Sequence, residues 1–312
     1  MSERIDVSRP RLELLVAAWP VGPVIAAERI TLGIENTNYF VTTVVGDTER
    51  EWVLTLMAHP PTRSALEVLD AADAAGLPVP VPVRDGAGQA TRPIPGGGFA
   101  LLAPRLPGRH PERPTARQCA AAGRFLARLH RATASLVAPP HPRNADWMRL
   151  RAAVHRPRLG FRERDLLAAA VHGLATLQAR GDWRRLPHGV VHGDLFRDNA
   201  LFEEERLTGV IDFHHAAQAP LAFDLAVVAA DWCRSAAGGL DRERMLALLR
   251  AYDRERALTA LERCFWPTLL VLAATRFWIA RLDSPRKPPE ELRDLTATLL
   301  RHPPLLEPAL VV

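Results

Sequence analysis

Two short apolar runs that each lead into an aspartate constrain the fold of this chain more than any other feature. Residues 190–192 lead to Asp194, and residues 207–211 lead to Asp212. Asn199 lies between the two acids. Runs rich in Val, Ile and Leu favour buried strands. A fold that joins the two strand ends would therefore place two carboxylates and one amide at a single site.

This set of side chains suits phosphoryl transfer. The reaction needs a carboxylate that orients or deprotonates the acceptor hydroxyl, and hard oxygen ligands that hold Mg²⁺ against the phosphates. The order of acid, four residues, asparagine and strand-ending acid matches the protein-kinase catalytic signature, with His192 before the first acid. We therefore predict that Asp194 is the catalytic base and that Asn199 and Asp212 bind magnesium. The alternative is that these residues only cap turns and end strands.

The first third of the chain predicts a small antiparallel sheet. Segments 24–31, 39–45 and 52–57 are rich in β-branched and aromatic residues and are separated by turn signals. A helix is expected over 63–75 and a further strand over 97–102. Three or more strands that pack on a helix are enough to form a small lobe.

Beyond this region, helical periodicity replaces the strand pattern. Two prolines and a glycine punctuate residues 104–108, which indicates a linker. Apolar residues then recur with helical spacing in four segments, 115–132, 162–180, 241–251 and 258–282. The sequence thus predicts an α+β, bilobal fold. Its antiparallel-sheet N-lobe spans 1–103, the hinge 104–108, and the larger, mainly helical C-lobe 109–312.

Composition narrows the classes of partner. The 312 residues are 48% hydrophobic and 24% charged, which is typical of a globular protein. The formal charge of +5 comes from scattered arginines without a basic run interleaved with aromatics, so no nucleic-acid partner is expected. The apolar stretch 264–280 is interrupted and too short to span a bilayer, so no membrane partner is expected. Three distant cysteines without metal-site spacing favour a cytoplasmic protein.

The turn between the first two predicted strands is a candidate phosphate-covering loop. It contains Gly33, Asn36, Thr37 and Asn38. Backbone N–H groups and small polar side chains in such a turn can lie over the phosphates of a nucleotide. Turns of this composition are also common in ordinary hairpins, so the phosphate-binding interpretation depends on the distant catalytic motif.

These motifs resemble the aminoglycoside and choline phosphotransferase superfamily, whose members share a protein-kinase-like fold and phosphorylate small alcohols. HGDLFRDN, VIDF and AFDLA carry that resemblance. GIENTNYF, WVLTL, DLAVVAADWC and RFWIARL are similar to the bacterial homoserine kinase branch, which acts on the route to threonine. The resemblance implies ATP and Mg²⁺ as cofactors and homoserine or a related small molecule as the acceptor.

The resemblance also implies roles for residues outside the catalytic motif. The wider fold usually places a phosphate-binding cation where this chain has Thr55, and Arg197 and Arg105 are candidates to supply the missing charge. Asp224 is expected to hold the catalytic loop by accepting its backbone N–H groups. A zwitterionic acceptor needs an acid for its ammonium and a guanidinium for its carboxylate. The candidates are Asp231, Trp232, Arg276 and Arg281. The arginines could equally form helix-face salt bridges, and the tryptophan could be a core residue.

Three other functions are compatible with the sequence. A kinase of the same fold could act on choline, an aminoglycoside or another amino alcohol. A metal-dependent hydrolase could use ligands from the set His192, Asp194, Asp212, His214 and His215. The two adjacent histidines at the predicted strand end would, however, point in opposite directions. A nucleotide-binding protein without catalysis is the third.

Overall fold

The computed structural model describes residues 5–31, 36–284 and 288–304. Its strands are β1 (Val24–Ile30), β2 (Thr37–Val45), β3 (Thr48–Met57), β4 (Thr91–Pro93), β5 (Phe99–Pro104), β6 (His188–Val191), β7 (Ala200–Glu203), β8 (Arg206–Val210) and β9 (Ala217–Pro220). Its helices are α1 (Arg9–Val16), α2 (Arg63–Ala74), α3 (Ala116–Ala132), α4 (Ala145–His155), α5 (Phe161–Ala179), α6 (Asp182–Arg185), α7 (Leu221–Trp232), α8 (Arg242–Glu255), α9 (Ala260–Asp283) and α10 (Glu290–Arg301).

The N-terminal lobe is a five-stranded antiparallel sheet in the order β1-β2-β3-β5-β4. Successive side chains of a strand point to opposite faces, so Trp52, Leu54 and Leu56 of β3 are buried on one face. Leu12 and Val16 of α1 belong to the same core. Val53 and Thr55 of β3, on the other face of the sheet, are half-buried.

The larger lobe is mainly helical and encloses two short β ladders. Strand β6 pairs with β9, and β7 forms a hairpin with β8. Every residue of α7 is buried, which makes α7 the central helix of this lobe. Helix α3 packs against α8, and α9 packs against α7, α5 and α10. An antiparallel-sheet lobe and a larger helical lobe agree with the predicted α+β class.

Two local predictions differ from the structure. Residues Phe213–His215 form a 3₁₀ turn rather than a strand end, because the chain turns at Asp212 to enter β9. Helix α4 was not predicted because its apolar residues lack a regular helical spacing. Helix α10 was also not predicted, although Leu292, Leu295 and Leu299 recur at helical spacing. The apolar stretch 264–280 lies within α9, as expected, and within the described ranges no helix is long and apolar enough to cross a membrane.

Candidate active site

The catalytic loop begins where β6 ends. His192 is fully buried, and Gly193 follows with φ of 79°, in the left-handed region that favours glycine. A Cβ atom at Gly193 would lie 2.9 Å from Nε2 of His141 and 3.0 Å from the carbonyl oxygen of His215. Glycine is therefore required at this turn, and the turn brings Asp194 out of the core to a half-buried position.

Helix α7 holds this loop through its polar side chains. Asp224 accepts the backbone N–H groups of His192 and Gly193, each at 2.9 Å. Trp232 donates its indole N–H to the carbonyl oxygen of Leu195 at 3.0 Å. Because α7 is buried along its length, these bonds anchor the loop to the most rigid part of the lobe.

Asn199 and Asp212 lie beside Asp194. The side-chain amide of Asn199 donates to the Asp194 carbonyl oxygen at 2.8 Å, and the backbone carbonyl of Asn199 accepts the Ile211 N–H at 2.9 Å. Asp212 has φ of 66°, a left-handed conformation that only Glu204 shares among the described non-glycine residues. Such strain is concentrated at functional sites.

These residues fit a magnesium ion by their chemistry. The side-chain nitrogen of Asn199 already donates a hydrogen bond to Asp194, so its Oδ1 is the atom that can coordinate a metal ion. The carboxylate of Asp212 is exposed. Two hard oxygen donors on a turn beside the catalytic loop are the ligand type that Mg²⁺ prefers.

Asp194 has the properties of a general base. Burial raises the pKa of its carboxyl group to about 7, and the nearby carboxylates of Asp212 and Asp198 act in the same direction. The positive charges of Arg276 and Arg143 oppose the rise. A base with a pKa near neutrality combines a useful ionised fraction with good proton affinity.

Arg276 lies beneath the catalytic loop. It is 2% exposed, donates from Nη2 to the Gly193 carbonyl oxygen, and its Nη1 lies 3.3 Å from Nε2 of His141. Its guanidinium also stacks over Phe223 and Phe277. Burial lowers the Arg276 pKa to about 10, so the group stays charged at neutral pH. This placement makes Arg276 a support of the loop rather than a group open to a ligand.

The remaining acceptor candidates lie in an ion network at the other side of the loop. Asp231 is buried and accepts the Arg197 backbone N–H at 2.9 Å, and burial raises its pKa. The guanidinium groups of Arg197 and Arg234 lie 3.7 Å from its carboxylate. Arg281 donates to the Pro288 carbonyl oxygen at 2.9 Å. Trp232 is fully buried, so its indole has no surface for a ligand.

In the N-lobe, Thr55 pairs with Asn38 on one side and with Leu101 on the other. Asn36, Thr37 and Asn38 mark the start of β2, while Gly33 lies outside the described residues. Beside them, Phe40, Val53 and Leu101 give the open face of the sheet an apolar surface. The alternation of residues along the strands is compatible with this apolar surface, but it was not predicted from the sequence.

Arg105 has partners within the N-lobe. Its guanidinium donates to Glu51 at 2.7 Å and lies 3.9 Å above the Phe40 ring. The charge predicted to serve the phosphates is thus already paired with a carboxylate. This placement does not favour a phosphate-binding role for Arg105.

Among the described residues, no zinc-type ligand set supports the hydrolase alternative. His192 is buried and its Nε2 lies 3.0 Å from the Ile211 carbonyl oxygen. Over residues 5–31, 36–284 and 288–304, no three His, Cys, Asp or Glu side chains are grouped to hold a metal ion.

The buried contacts behind the catalytic loop were not predicted from the sequence. His130 of α3 lies 3.1 Å from Asp224 through Nε2 and 2.8 Å from the Tyr252 hydroxyl through Nδ1. All three side chains are buried. No local motif indicates this contact, because the residues come from three helices that are distant in sequence.

Replacement of Asp224 by alanine is expected to destabilise the protein by about 3–5 kcal/mol, because it leaves two backbone N–H groups and His130 without their buried acceptor. Urea denaturation followed by circular dichroism measures the effect. Asp253→Ala, at a partly exposed site on α8, is a matched control. A loss no larger than that of the control would contradict the anchoring role.

Similarity to known proteins identifies the family of this chain. A family model described as the phosphotransferase enzyme family matches residues 26–258. The chain is 40% identical over 286 residues to a homoserine kinase of Pseudomonas aeruginosa, covering 90% of this chain and 88% of the relative. It is 38% identical over 287 residues to a homoserine kinase of Methylobacillus flagellatus, covering 91% and 87%.

Solved structures share the fold. An amicoumacin kinase in complex with AMP-PNP, Ca²⁺ and Ami superposes with a TM-score of 0.70 at 14% identity, covering 96% of this chain and 95% of that one. A microcompartment-associated aminopropanol kinase superposes with a TM-score of 0.66 at 20% identity, covering 94% of each. The bilobal, protein-kinase-like fold is thus confirmed. By its family match and its relatives, this chain belongs to the phosphotransferase enzyme family.

Proposed function

We propose that this chain is an ATP-dependent homoserine kinase that converts ATP and L-homoserine to ADP and O-phospho-L-homoserine. The observation that carries the proposal is the position of Asp194 on the loop where Asn199 hydrogen-bonds to it and the strand leading to Asp212 returns. The identity of about 40% to homoserine kinases supports the choice of acceptor. On this basis the protein serves threonine biosynthesis in the cytoplasm.

The proposed reaction needs one base and one aligned acceptor. The side-chain hydroxyl oxygen of homoserine forms a bond to the γ-phosphorus while the bond from that phosphorus to the bridging oxygen of ADP breaks. The hydroxyl proton passes to a carboxylate oxygen of Asp194. Arg276 and Asp224 keep the loop in place from below, so Asp194 needs little reorganisation when the acceptor arrives.

Nucleotide binding is assigned to the cleft between the lobes. Asn199 and Asp212 would hold Mg²⁺, which when bound neutralises charge on the phosphates. Asn36 and Asn38 at the start of β2, with Thr55 opposite Asn38 on β3, would lie over the phosphates. The Thr37 side chain is buried with Tyr39 and Val41, so its predicted phosphate contact is not retained. We assign residues 104–108, which start at the last residue of β5, as the hinge between lobes 1–103 and 109–312.

The acceptor side is assigned to the helical lobe. Asp231 lies on α7 directly behind Arg197 of the catalytic loop, and it is the candidate partner of the acceptor ammonium. Arg281 and Trp232 border the same region, where Trp232 supports the loop. Arg197 is the candidate to stabilise negative charge near Asp194.

An acceptor panel tests the proposal. Purified protein is incubated with Mg·ATP and one of L-homoserine, L-serine, choline, 3-aminopropan-1-ol or an aminoglycoside, and ADP release is measured. The highest kcat/KM is expected for L-homoserine. Faster turnover of another acceptor would keep the kinase but reject homoserine as its substrate.

The dependence of kcat/KM on pH should show the ionisation of the proposed base, Asp194. Only ionised Asp194 accepts the proton, and its ionised fraction falls tenfold for each pH unit below its pKa of about 7. The value of kcat/KM should therefore be level above neutrality and fall with unit slope toward acid. Circular dichroism over the same range separates titration from unfolding. A profile that stays level down to pH 5 would contradict the raised pKa.

A further inference from the structure

Arg143 occupies a fixed position at the start of α4. Its backbone N–H donates to Nδ1 of His141 at 3.0 Å. The next residue, Asn144, caps α4 by accepting the N–H groups of Asp146 and Trp147. His141 in turn donates its backbone N–H to the Gln218 carbonyl oxygen of β9 at 3.0 Å. The backbone of Arg143 is therefore held on both sides.

This position lies at the edge of the catalytic loop. Nε2 of His141 is 3.3 Å from Arg276, and Arg276 donates to the carbonyl oxygen of Gly193, the residue before Asp194. The charge of Arg143 lowers the pKa of Asp194 and also that of Arg276. His141, two residues before Arg143, therefore links this position to the catalytic loop, and the charge of Arg143 acts on the Asp194 carboxylate.

Arg143 differs from the other arginines near this loop because its side chain is neither fully buried nor, among the described residues, paired with a carboxylate in a salt bridge. It is half-buried and lies 6.0 Å from the centre of the Trp147 ring. In the part of the chain that the structure describes, it forms no ion pair. Arg197 is engaged by the Glu112 carbonyl oxygen and Asp231, and Arg276 is buried. A partly exposed guanidinium near the base, with no salt-bridge partner among the described residues, is suited to an anionic group of the acceptor.

The acceptor of the proposed function, homoserine, carries one anionic group, its α-carboxylate. Helix α4, which Arg143 precedes, packs against α5 and α9 within the helical lobe. We propose that Arg143 binds the α-carboxylate of the acceptor and so selects amino-acid alcohols over amino alcohols that lack this group. This inference rests on the proposed kinase function and assigns the determinant of its specificity. Arg276, which was predicted to bind the acceptor, supports the loop behind Arg143.

The test compares two acceptors that differ by one carboxylate. L-Homoserine and 3-aminopropan-1-ol share the ammonium and the reactive hydroxyl. In Arg143→Gln, kcat/KM for homoserine should fall about 100-fold, mainly through KM, while kcat/KM for aminopropanol and KM for ATP stay near wild type. Arg143→Lys should recover part of the homoserine activity. Arg149→Gln, on the same helix and paired with Asp146, is the matched control and should change neither acceptor.

Three outcomes would overturn the assignment. An unchanged ratio of the two kcat/KM values in Arg143→Gln would remove Arg143 from the carboxylate site. A rise in KM for ATP with an unchanged KM for homoserine would place the residue at the triphosphate instead. Equal loss with both acceptors would mean that it only supports the loop. Failure of the wild-type protein to phosphorylate homoserine would instead reject the proposed function, so the two failures are distinguishable.

Discussion

Replacement of Asp194 by asparagine is expected to lower kcat by about a thousandfold. The asparagine has nearly the same size, so the loop should keep its bonds to Asp224 and Arg276. Its amide, however, cannot accept the hydroxyl proton. Because Asp194 acts on the acceptor, the dissociation constant for Mg·ATP should change little.

The measurement is steady-state kcat with saturating homoserine, together with ATP binding by calorimetry. Glu203→Gln, an exposed change in the β7–β8 hairpin, is the control for a lost carboxylate and should behave as wild type. Equal turnover by Asp194→Asn and wild type would exclude Asp194 as the base. A large loss of ATP affinity would move its role from the acceptor to the nucleotide.

Replacement of Asp212 by asparagine should have the second largest effect, a loss of about a hundredfold in kcat. The change removes the exposed carboxylate of Asp212 near Asn199 while keeping a residue type that tolerates the left-handed backbone. The Mg²⁺ concentration needed for half-maximal rate should rise strongly.

A Mg²⁺ titration at fixed ATP measures both effects, with Glu205→Gln in the hairpin turn as the control. An unchanged Mg²⁺ requirement would exclude Asp212 as a metal ligand even if the rate fell. A lower rate that excess Mg²⁺ partly restores would support the assignment.

The catalytic motif was predictable because its geometry is mostly local. Asp194 and Asn199 belong to one loop, and β8 returns the chain to that loop, so sequence spacing alone indicated their proximity. The structure adds what spacing cannot give. It fixes the orientation of the Asn199 amide and the left-handed backbone of Asp212.

The roles of the arginines were not predictable because they depend on contacts between distant segments. Arg276 matches a motif, but only the packing of α9 under the loop places its guanidinium against Gly193. Arg143 precedes a helix too weakly patterned to be predicted, so its closeness to Asp194 had no sequence signal. Arg105 was chosen for its charge, and the structure pairs that charge with Glu51.

The identity of the phosphorylated product is the most direct test of the proposed homoserine kinase activity. The test is ³¹P nuclear magnetic resonance of wild-type protein with Mg·ATP and L-homoserine. We expect one new phosphomonoester signal, coupled to two methylene protons and growing in step with ADP. Release of inorganic phosphate alone, or no consumption of ATP, would contradict the claim that Asp194 directs the homoserine hydroxyl to the γ-phosphorus.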